Sequence, residues 1–348
     1  MQILHWPVAE ELKRETEANY RTGFALSLKN RDPLTIIREL TFDGVVPEVT
    51  IADIERLFSF VEESFLKKKL RGVGIEVGAG PATFSAVLAR RPEVEKMYAI
   101  EICRPIVEQL MPKVVAAVTG QNAGKIIGCV ADFDRLNLPD DSVDFVIDFF
   151  SLHHSPKLAV TLRESWRVLK PGGVLLAFDK ARPDYLSEED LDLILNKEYD
   201  ESFKRRIGWP LNEKLTRRMN DEKEYRLVDW RREFNQAEFP YLEHFRLEKT
   251  LGRDFLVGFV KRAISLLPPK IQVLFTKFVP RRRDPFDLEW SDVVFTSALN
   301  PFRKEMSLLV ATKPMFGFRV IGITSKLKLR TVDITKEIPL KQERLRGY

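Results

Sequence analysis

The sequence has little of several features that mark particular classes of protein. Its two cysteines, Cys103 and Cys129, both lie in apolar contexts, so buried reduced thiols are predicted rather than a disulfide framework or a cysteine metal site. No uncharged stretch approaches the ~20 apolar residues that cross a bilayer. The first residues also lack the basic start and apolar middle of a secretion signal. These absences predict a cytoplasmic protein.

A strong excess of one charge is missing as well. The 56 Lys and Arg residues against 51 Asp and Glu residues leave a formal charge of +5 on 348 residues. This small excess favours acidic partners slightly but does not indicate a nucleic-acid-binding protein. Internal repeats and low-complexity segments are also absent. What the chain does have is a hydrophobic fraction of 44%, which is ample for a large core.

The first 70 residues are predicted to form a helical cap. Within "TIADIERLFSFVEESFLKKKL", apolar residues recur at helical spacing, and Thr50 is a candidate N-cap. The stripe consists of Ile51, Ile54, Leu57, Phe58, Val61, Phe65 and Leu66. Such a helix is expected to pack against the domain that follows.

Residues 71–316 are predicted to form the main domain. Between Gly72 and Asp179, short apolar strands such as "KIIGCV" and "VDFVIDFF" alternate with helical segments. Strands without polar alternation, separated by helices, predict a parallel sheet covered on both faces. With the later candidates "YLEHFRLEKTL" and "EMSLLVATK", this predicts an α/β fold with a doubly wound, mostly parallel, seven-stranded sheet.

Three parts of the chain depart from this rhythm. Residues 182–235 read as two helices around an irregular segment, and their aromatic residues form either a lid or ordinary core. These aromatic residues are Tyr185, Tyr199, Phe203, Trp209 and Tyr225. Residues 250–305 are a long insertion before the last strand, and residues 317–348 form a tail of unpredicted role.

The insertion contains a basic and apolar segment. From Lys261 to Arg283 there are seven basic residues and no acidic ones, interleaved with apolar residues. This composition predicts either contact with an anionic membrane surface or a phosphate-bearing acceptor, or a helical hairpin packed on the domain with solvated lysines. Contact with a membrane surface would place the protein at the inner face of a membrane.

The segment "GIEVGAGPATFSAVLA" contains a glycine turn between a strand and a helix. Gly78 and Gly80 follow the first apolar strand, at the sheet edge where doubly wound folds bind ligands. A dinucleotide fingerprint would require a third glycine at position 83, which is Thr83. This weakens a pyrophosphate interpretation, and a tight turn without a ligand is the alternative.

Acidic residues end the next two strands. Glu101 lies about twenty residues beyond the glycines, where a carboxylate accepts both hydroxyls of a ribose. Asp132 is placed to accept a hydrogen bond from an exocyclic amine, or else to cap a turn. Phe133 offers an apolar surface for a purine. Together these residues predict an adenosine-containing ligand.

The motifs now stand in an order that resembles a known family. "GIEVGAGPA", "YAIE", "VADFDRLNLPDDSVDFVIDFFSLHH" and "RESWRVLKPGGVLLAFD" resemble the class I S-adenosylmethionine-dependent methyltransferases, in the small-molecule, type 11 branch. The resemblance covers residues 72–180 most strongly. It implies S-adenosylmethionine as the cofactor and S-adenosylhomocysteine as its product.

The resemblance also implies roles for individual residues. Glu76 would hold the methionine part of the cofactor. The other implied cofactor-binding residues are Gly78, Ala79 and Gly80 beneath it, Glu101 and Ile102 at the ribose, Asp132 and Phe133 at the adenine, and Asp148 at the tip of the fourth strand. The family's third glycine is Ala82 here, preceded by Pro81, which predicts a stiffer loop.

Two of the four histidines, His153 and His154, follow the fourth strand, where methyl transfer would occur. A hydroxyl acceptor is helped by a base that takes its proton, and the ordinary pKa of histidine suits this work at neutral pH. The alternative is that these histidines cap the next helix or line the pocket. A metal site formed with Asp148 is not expected, because adjacent histidines on an extended chain point in opposite directions.

The predicted function is methyl transfer to a small-molecule, glycan or lipid-like acceptor, with oxygen as the predicted methylated atom. RNA methylation is an alternative, although no Asn-Pro-Pro-Tyr-like run follows the fourth strand, where "DFFS" stands. A nucleoside-binding partner subunit without catalysis and an NAD-dependent dehydrogenase are two competing hypotheses. The sequence predicts neither the acceptor's identity nor the oligomeric state.

Overall fold

A computed structural model describes residues 1–8, 32–38, 50–207, 209–249, 288–289 and 306–315. Within these ranges the chain forms one sheet of nine strands in the order β1-β4-β3-β2-β5-β6-β9-β7-β8. The strands are β1 (Gln2–His5), β2 (Gly72–Val77), β3 (Val94–Glu101), β4 (Ile126–Val130), β5 (Val143–Phe149), β6 (Leu169–Asp179), β7 (Leu242–Lys249), β8 (Leu288–Glu289) and β9 (Met306–Thr312). Strands β1 to β6 pair in parallel, whereas β9 is antiparallel to β6 and β7.

Helices flank this sheet. The α-helices are α1 (Pro33–Arg38), α2 (Ile51–Val61), α3 (Thr83–Ala89), α4 (Met111–Thr119), α5 (Leu158–Val168), α6 (Glu188–Asn196), α7 (Glu201–Ile207) and α8 (Leu227–Gln236). Shorter turns are the π-helical Glu62–Leu66 and Ile106–Leu110 and the 3-10 helices Gly120–Lys125, Leu152–His154 and Arg218–Asn220. Three buried apolar clusters are present in the described residues: α2, α3 and α4 contribute to one, α5 and α8 to another, and α6 to a small third one. The α/β fold class and all seven predicted strands are confirmed.

Three local features differ from the predictions. The prediction of a helical cap was wrong for Gln2–His5, which form a strand. This strand pairs in parallel with β4 and covers the otherwise open edge of β4. The two-residue strand β8 was not predicted. The irregular segment of 182–235 contains α7, whose first turn is capped by Asp200 through a 2.8 Å bond from the N–H of Phe203. These three elements are short, and the two strands also depend on pairing with residues far away in the sequence, so the sequence pattern alone did not predict them.

Helix α2 begins where the sequence predicts it. The Thr50 hydroxyl accepts from the N–H of Asp53 at 3.2 Å, and the Asp53 carboxylate accepts from the N–H of Thr50 at 2.8 Å. This reciprocal capping box satisfies two otherwise unpaired backbone donors. The stripe residues Ile54, Leu57, Phe58 and Val61 are buried. Both cysteines are buried free thiols, also as predicted.

Several predictions lie outside the described residues. These are the basic segment 261–283, almost all of the insertion 250–305, the tail 317–348 and parts of the cap 1–70. Membrane-surface contact through 261–283 therefore stays a prediction. Among the residues that the structure describes, every helix is too short or too polar to cross a bilayer.

Candidate functional site

The glycine turn between β2 and α3 uses its two glycines for different reasons. Gly78 has φ +57°, and a Cβ there would lie 2.2 Å from the Cβ of Ser151. Gly80 has φ +49°, and a Cβ there would meet no atom within 4 Å. Gly78 thus permits a close contact inside the protein, whereas Gly80 leaves open space above the turn. Ala82, in place of the family's third glycine, also takes a left-handed conformation, with φ +61°.

Glu101 at the tip of β3 ties the glycine turn to its own strand. One carboxylate oxygen accepts from the N–H of Gly80 at 2.9 Å and the other from the N–H of Cys103 at 2.8 Å. Burial raises the pKa of this carboxyl group. Each oxygen has a second lone pair, so the group retains capacity for two ligand hydroxyls. Ile102 lies half-buried in the turn that follows, and Ala79 is buried beneath the glycine turn.

Glu76 on β2 faces the start of α3. Its carboxylate accepts from the N–H of Ser85 at 2.7 Å, and burial raises its pKa to about 8. The Ser85 side chain also hydrogen-bonds this carboxyl group, whereas the buried hydroxyl of Thr83 has no hydrogen-bond partner within the described residues. Buried polar atoms are nearly always satisfied in proteins, so the unpaired Thr83 hydroxyl points to a polar ligand at the helix start.

Asp132 and Phe133 follow β4. An oxygen of Asp132 accepts from the N–H of Asp134 at 2.8 Å, so the turn-capping role left open by the sequence is present. The second oxygen has no hydrogen bond to the residues that the structure describes, which leaves it for a ligand amine. Phe133 is half-buried against the apolar cluster under α5.

Asp148 at the tip of β5 shapes the turn that carries the histidines. Its Oδ1 accepts from the N–H groups of Ser151 and Leu152, each at 3.0 Å, and from the Ser151 hydroxyl. Its Oδ2 is buried and unpaired within the described part of the chain. Burial and the neighbouring Asp179 raise the pKa of Asp148 well above its ordinary value. Both effects favour the protonated form of this carboxyl group.

His153 and His154 lie on a 3-10 turn rather than on extended chain. Their ring centroids are 4.3 Å apart, so the expectation that they point in opposite directions was wrong. Nδ1 of His153 lies 2.7 Å from the buried carboxylate of Asp179 at the tip of β6. His153 is buried and His154 is half-buried. Burial, helped by Lys180, lowers the pKa of both imidazoles well below 6.5, so both are neutral at physiological pH.

One nitrogen from each histidine and a carboxylate oxygen of Glu222 lie within 4.8 Å of one another, as metal ligands do. However, Glu222 Oε2 already lies 2.7 Å from both Lys180 Nζ and Arg217 Nη1. In the described surroundings, three buried or nearly buried cations face three carboxylates. They are Lys180, Arg182 and Arg217 against Asp179, Glu222 and Glu224. A divalent ion would leave uncompensated positive charge in a buried cluster, so a metal site is still not predicted.

The aromatic residues of 182–235 differ in their burial and contacts. Tyr225 packs against the buried Trp230, whereas Tyr185 is 54% exposed. Tyr199 stacks on Phe203 with centroids 3.8 Å apart. The Tyr199 hydroxyl and the Trp209 indole N–H are buried without hydrogen-bond partners in the described residues. Part of the segment is therefore core, and part presents polar atoms that a ligand would satisfy.

Three features test whether S-adenosylmethionine fits this edge of the sheet. Open space lies above Gly80, the Glu101 carboxylate retains accepting capacity, and the buried Thr83 hydroxyl and Asp148 Oδ2 lack partners in the described structure. An adenosyl group with ribose hydroxyls and an amino-acid end supplies the matching donors and acceptors. The predicted cofactor residues therefore fit this cofactor, and their individual roles stay predictions.

Sequence reasoning missed three residues of this region: Ser151, Asp179 and Glu222. Asp179 had a usable signal, because it is an acid at the end of an apolar strand, as Glu101 is. Ser151 and Glu222 had none, since their contacts with Gly78 and Lys180 bridge segments more than 40 residues apart.

Comparisons with known proteins agree with this geometry. Residues 75–177 match the Methyltransf_11 family, described as a methyltransferase domain. A demethylmenaquinone methyltransferase from Roseiflexus castenholzii is 29% identical over 114 residues, which are 32% of this chain and 44% of that protein. A Listeria monocytogenes protein of the same name is 45% identical over 50 residues, 14% of this chain and 21% of that protein. The chain thus spans less than half the length of these relatives.

Solved structures also resemble this chain. A Bacillus halodurans protein described as a methyltransferase has 20% identity and a TM-score of 0.43. The similarity covers 76% of this chain and 98% of the Bacillus halodurans chain. Phosphoethanolamine N-methyltransferase 2 from Haemonchus contortus, solved with S-adenosylhomocysteine, has 12% identity and a TM-score of 0.42. That similarity covers 75% of this chain and 52% of the other.

Proposed function

We propose, from the premise that residues 75–177 form a class I S-adenosylmethionine-dependent methyltransferase domain, that this chain methylates an oxygen of a small-molecule, glycan or lipid-like acceptor. The observation that carries the proposal is the position of the histidine pair. The turn with His153 and His154 starts directly after Ser151, which contacts the glycine turn at Gly78. A neutral base thus lies beside the predicted cofactor site.

The proposed reaction requires no covalent intermediate with the protein. S-Adenosylmethionine supplies a methyl group that is already activated on a sulfonium sulfur. The chain's residues then have to orient the acceptor in line, exclude water and receive a proton. Glu101, Asp132 and the glycine turn would hold the cofactor, and Glu76 would face its amino-acid end. His154 is the more accessible histidine and is the proposed base.

A series of candidate acceptors tests the proposed activity. The relatives above are named for demethylmenaquinone, so reduced demethylmenaquinone is the first probe, followed by catechols, glycans and RNA. The protein would be incubated with methyl-tritiated S-adenosylmethionine and each probe, and the labelled product identified by mass spectrometry. A methyl ether is the expected product. A C-methyl product would contradict oxygen as the methylated atom, and label on RNA alone would contradict the acceptor class.

A binding measurement separates this proposal from the competing nucleotide-binding hypotheses. Calorimetry should show binding of S-adenosylhomocysteine and no binding of NADH. The opposite result would indicate a dehydrogenase. Binding of S-adenosylhomocysteine without transfer to any probe would support the non-catalytic partner subunit.

Replacing the proposed base gives a kinetic prediction. His154→Ala should slow turnover about a hundredfold, the lower end of what general base catalysis contributes. Binding of S-adenosylhomocysteine should be unchanged, because no cofactor contact is assigned to the His154 side chain. Turnover with a hydroxyl acceptor and calorimetry on the same variant measure the two effects. His5→Ala, at an exposed position on β1, is the matched control and should keep the wild-type turnover. Unchanged turnover in His154→Ala would show that His154 is not the base.

A further inference from the structure

Asp179 at the end of β6 is a completely buried carboxylate next to the histidine pair. Its Oδ1 accepts from the N–H of Lys180 at 2.6 Å and lies 2.7 Å from Nδ1 of His153. Its Oδ2 accepts from the backbone N–H of His153 at 3.1 Å. The carboxylate thus holds both the backbone and the ring of one histidine.

These contacts determine the tautomer of His153. Both backbone groups that reach Asp179 are donors, which suits an ionised carboxylate that only accepts. Although burial raises the pKa of Asp179 to about 6, the group is still mainly ionised at neutral pH. Nδ1 of the neutral His153 ring must then carry the proton and donate it to Asp179, and Nε2 is left with its lone pair.

His154 lies against this fixed ring. The two centroids are 4.3 Å apart with an interplanar angle of 38°. The His154 ring also has a hydrogen bond with the backbone of Asp221. Both this hydrogen bond and the negative charge of Asp179 favour the protonated form of His154, whereas Lys180 and His153 oppose it.

We propose that Asp179 is the positioning residue of the histidine base. It fixes His153 as the Nδ1–H tautomer, and its charge stabilises the proton that His154 receives. During transfer the acceptor oxygen bonds to the methyl carbon, the carbon–sulfur bond breaks with its electrons returning to sulfur, and the hydroxyl proton passes to His154 and then to water. The proton step rests on the proposed function, but the tautomer does not.

The charged and titratable groups around Asp179 come from four parts of the chain. They are Asp148 on β5, His153 and His154 on the following turn, Lys180 and Arg182 after β6, and Arg217, Glu222 and Glu224 from the segment before α8. The three cations are paired with Glu222 and Glu224. Among these carboxylates, Asp179 is the one that lies within hydrogen-bond distance of the His153 ring.

The first test uses nuclear magnetic resonance of protein labelled with ¹⁵N-histidine. The chain has four histidines, so His→Gln variants assign each signal. In the wild type, long-range ¹H–¹⁵N correlations should show His153 as the Nδ1–H tautomer. In Asp179→Asn, the His154 titration should move to lower pH. Asp192→Asn, an exposed acid on α6, should leave both unchanged.

The tautomer and the titration are measured without an acceptor, so their results do not depend on whether the proposed function is correct. An Nε2–H tautomer of His153 in the wild type would overturn the proposal even if Asp179→Asn did not fold. An unchanged His154 titration in a folded variant would also overturn it. Absence of S-adenosylhomocysteine binding would instead contradict the proposed function and leave the tautomer result standing.

The second test is kinetic and uses catechol-type acceptors of graded acidity. Asp179→Asn should lower kcat at least tenfold for a weakly acidic hydroxyl, with the KM values for acceptor and S-adenosylmethionine unchanged. The loss should disappear for an acceptor that is already ionised, since no proton then needs to be taken. An equal loss for every acceptor would indicate only structural damage and would overturn the positioning role.

Discussion

Glu101→Ala should weaken binding of S-adenosylhomocysteine by about 10²- to 10⁴-fold. Two hydrogen bonds from ribose hydroxyls to a carboxylate contribute roughly 1.5 to 3 kcal/mol each, and every 1.4 kcal/mol is tenfold in affinity. The variant also loses the 2.9 Å tie to the N–H of Gly80, which holds the glycine turn in place before the ligand arrives. Calorimetry with S-adenosylhomocysteine measures the change.

The controls for this experiment lie on the same strand. Glu95 is an exposed acid of β3, and Glu95→Gln should bind with wild-type affinity. Glu101→Gln should lie between the wild type and Glu101→Ala, because its amide oxygen accepts one bond but carries no charge. Wild-type affinity in Glu101→Ala would show that the carboxylate does not hold the ribose. It would also contradict the assignment of the neighbouring glycine turn as part of the cofactor site.

The residues that the sequence placed correctly are those with strong local signals. Most of the seven predicted strands are short apolar runs, and Gly78, Gly80 and Glu101 lie at or just beyond the ends of such runs. Parallel strands bring their carboxyl ends to one edge, so the order of motifs along the chain was enough to place these residues together. The capping box of Thr50 is similarly complete within four residues.

What the sequence did not reveal depends on contacts between distant segments. The pair of His153 and Asp179 joins residues 26 positions apart, and the pair of Lys180 and Glu222 joins residues 42 apart. Separations of this size do not follow from the periodicity of a strand or a helix, so the sequence pattern does not indicate these pairs. The direction of the histidine rings was wrong for a related reason: the buried Asp148 carboxyl group bends the chain after β5 into a tight turn.

Glu76 should make the stability of the protein depend strongly on pH. Burial raises its pKa from an ordinary value of 4.5 to about 8, so the folded state keeps a proton that the unfolded chain releases above pH 4.5. Glu76 therefore opposes folding increasingly as pH rises from about 4.5 to about 8, and no further above that. At 1.36 kcal/mol per pH unit, the interval amounts to ~5 kcal/mol in the free energy of unfolding.

Denaturant unfolding at several pH values should reveal this contribution when the wild type is compared with Glu76→Gln. The glutamine retains the oxygen that accepts from the N–H of Ser85 but has no proton to lose. The stability of the wild type should fall relative to the variant between pH 5 and pH 8, and the difference should then level off. Parallel curves would mean that Glu76 is ionised in the folded protein.

The same group links pH to cofactor binding. The ammonium group of S-adenosylhomocysteine favours an ionised Glu76, so binding should release a proton when the pH lies below about 8. Calorimetry in buffers of different ionisation enthalpy counts that proton. Glu76→Gln should release none by this route, and its affinity should lose the rise with pH that the wild type shows. Equal proton release in the two proteins would place the amino-acid end of the cofactor away from Glu76.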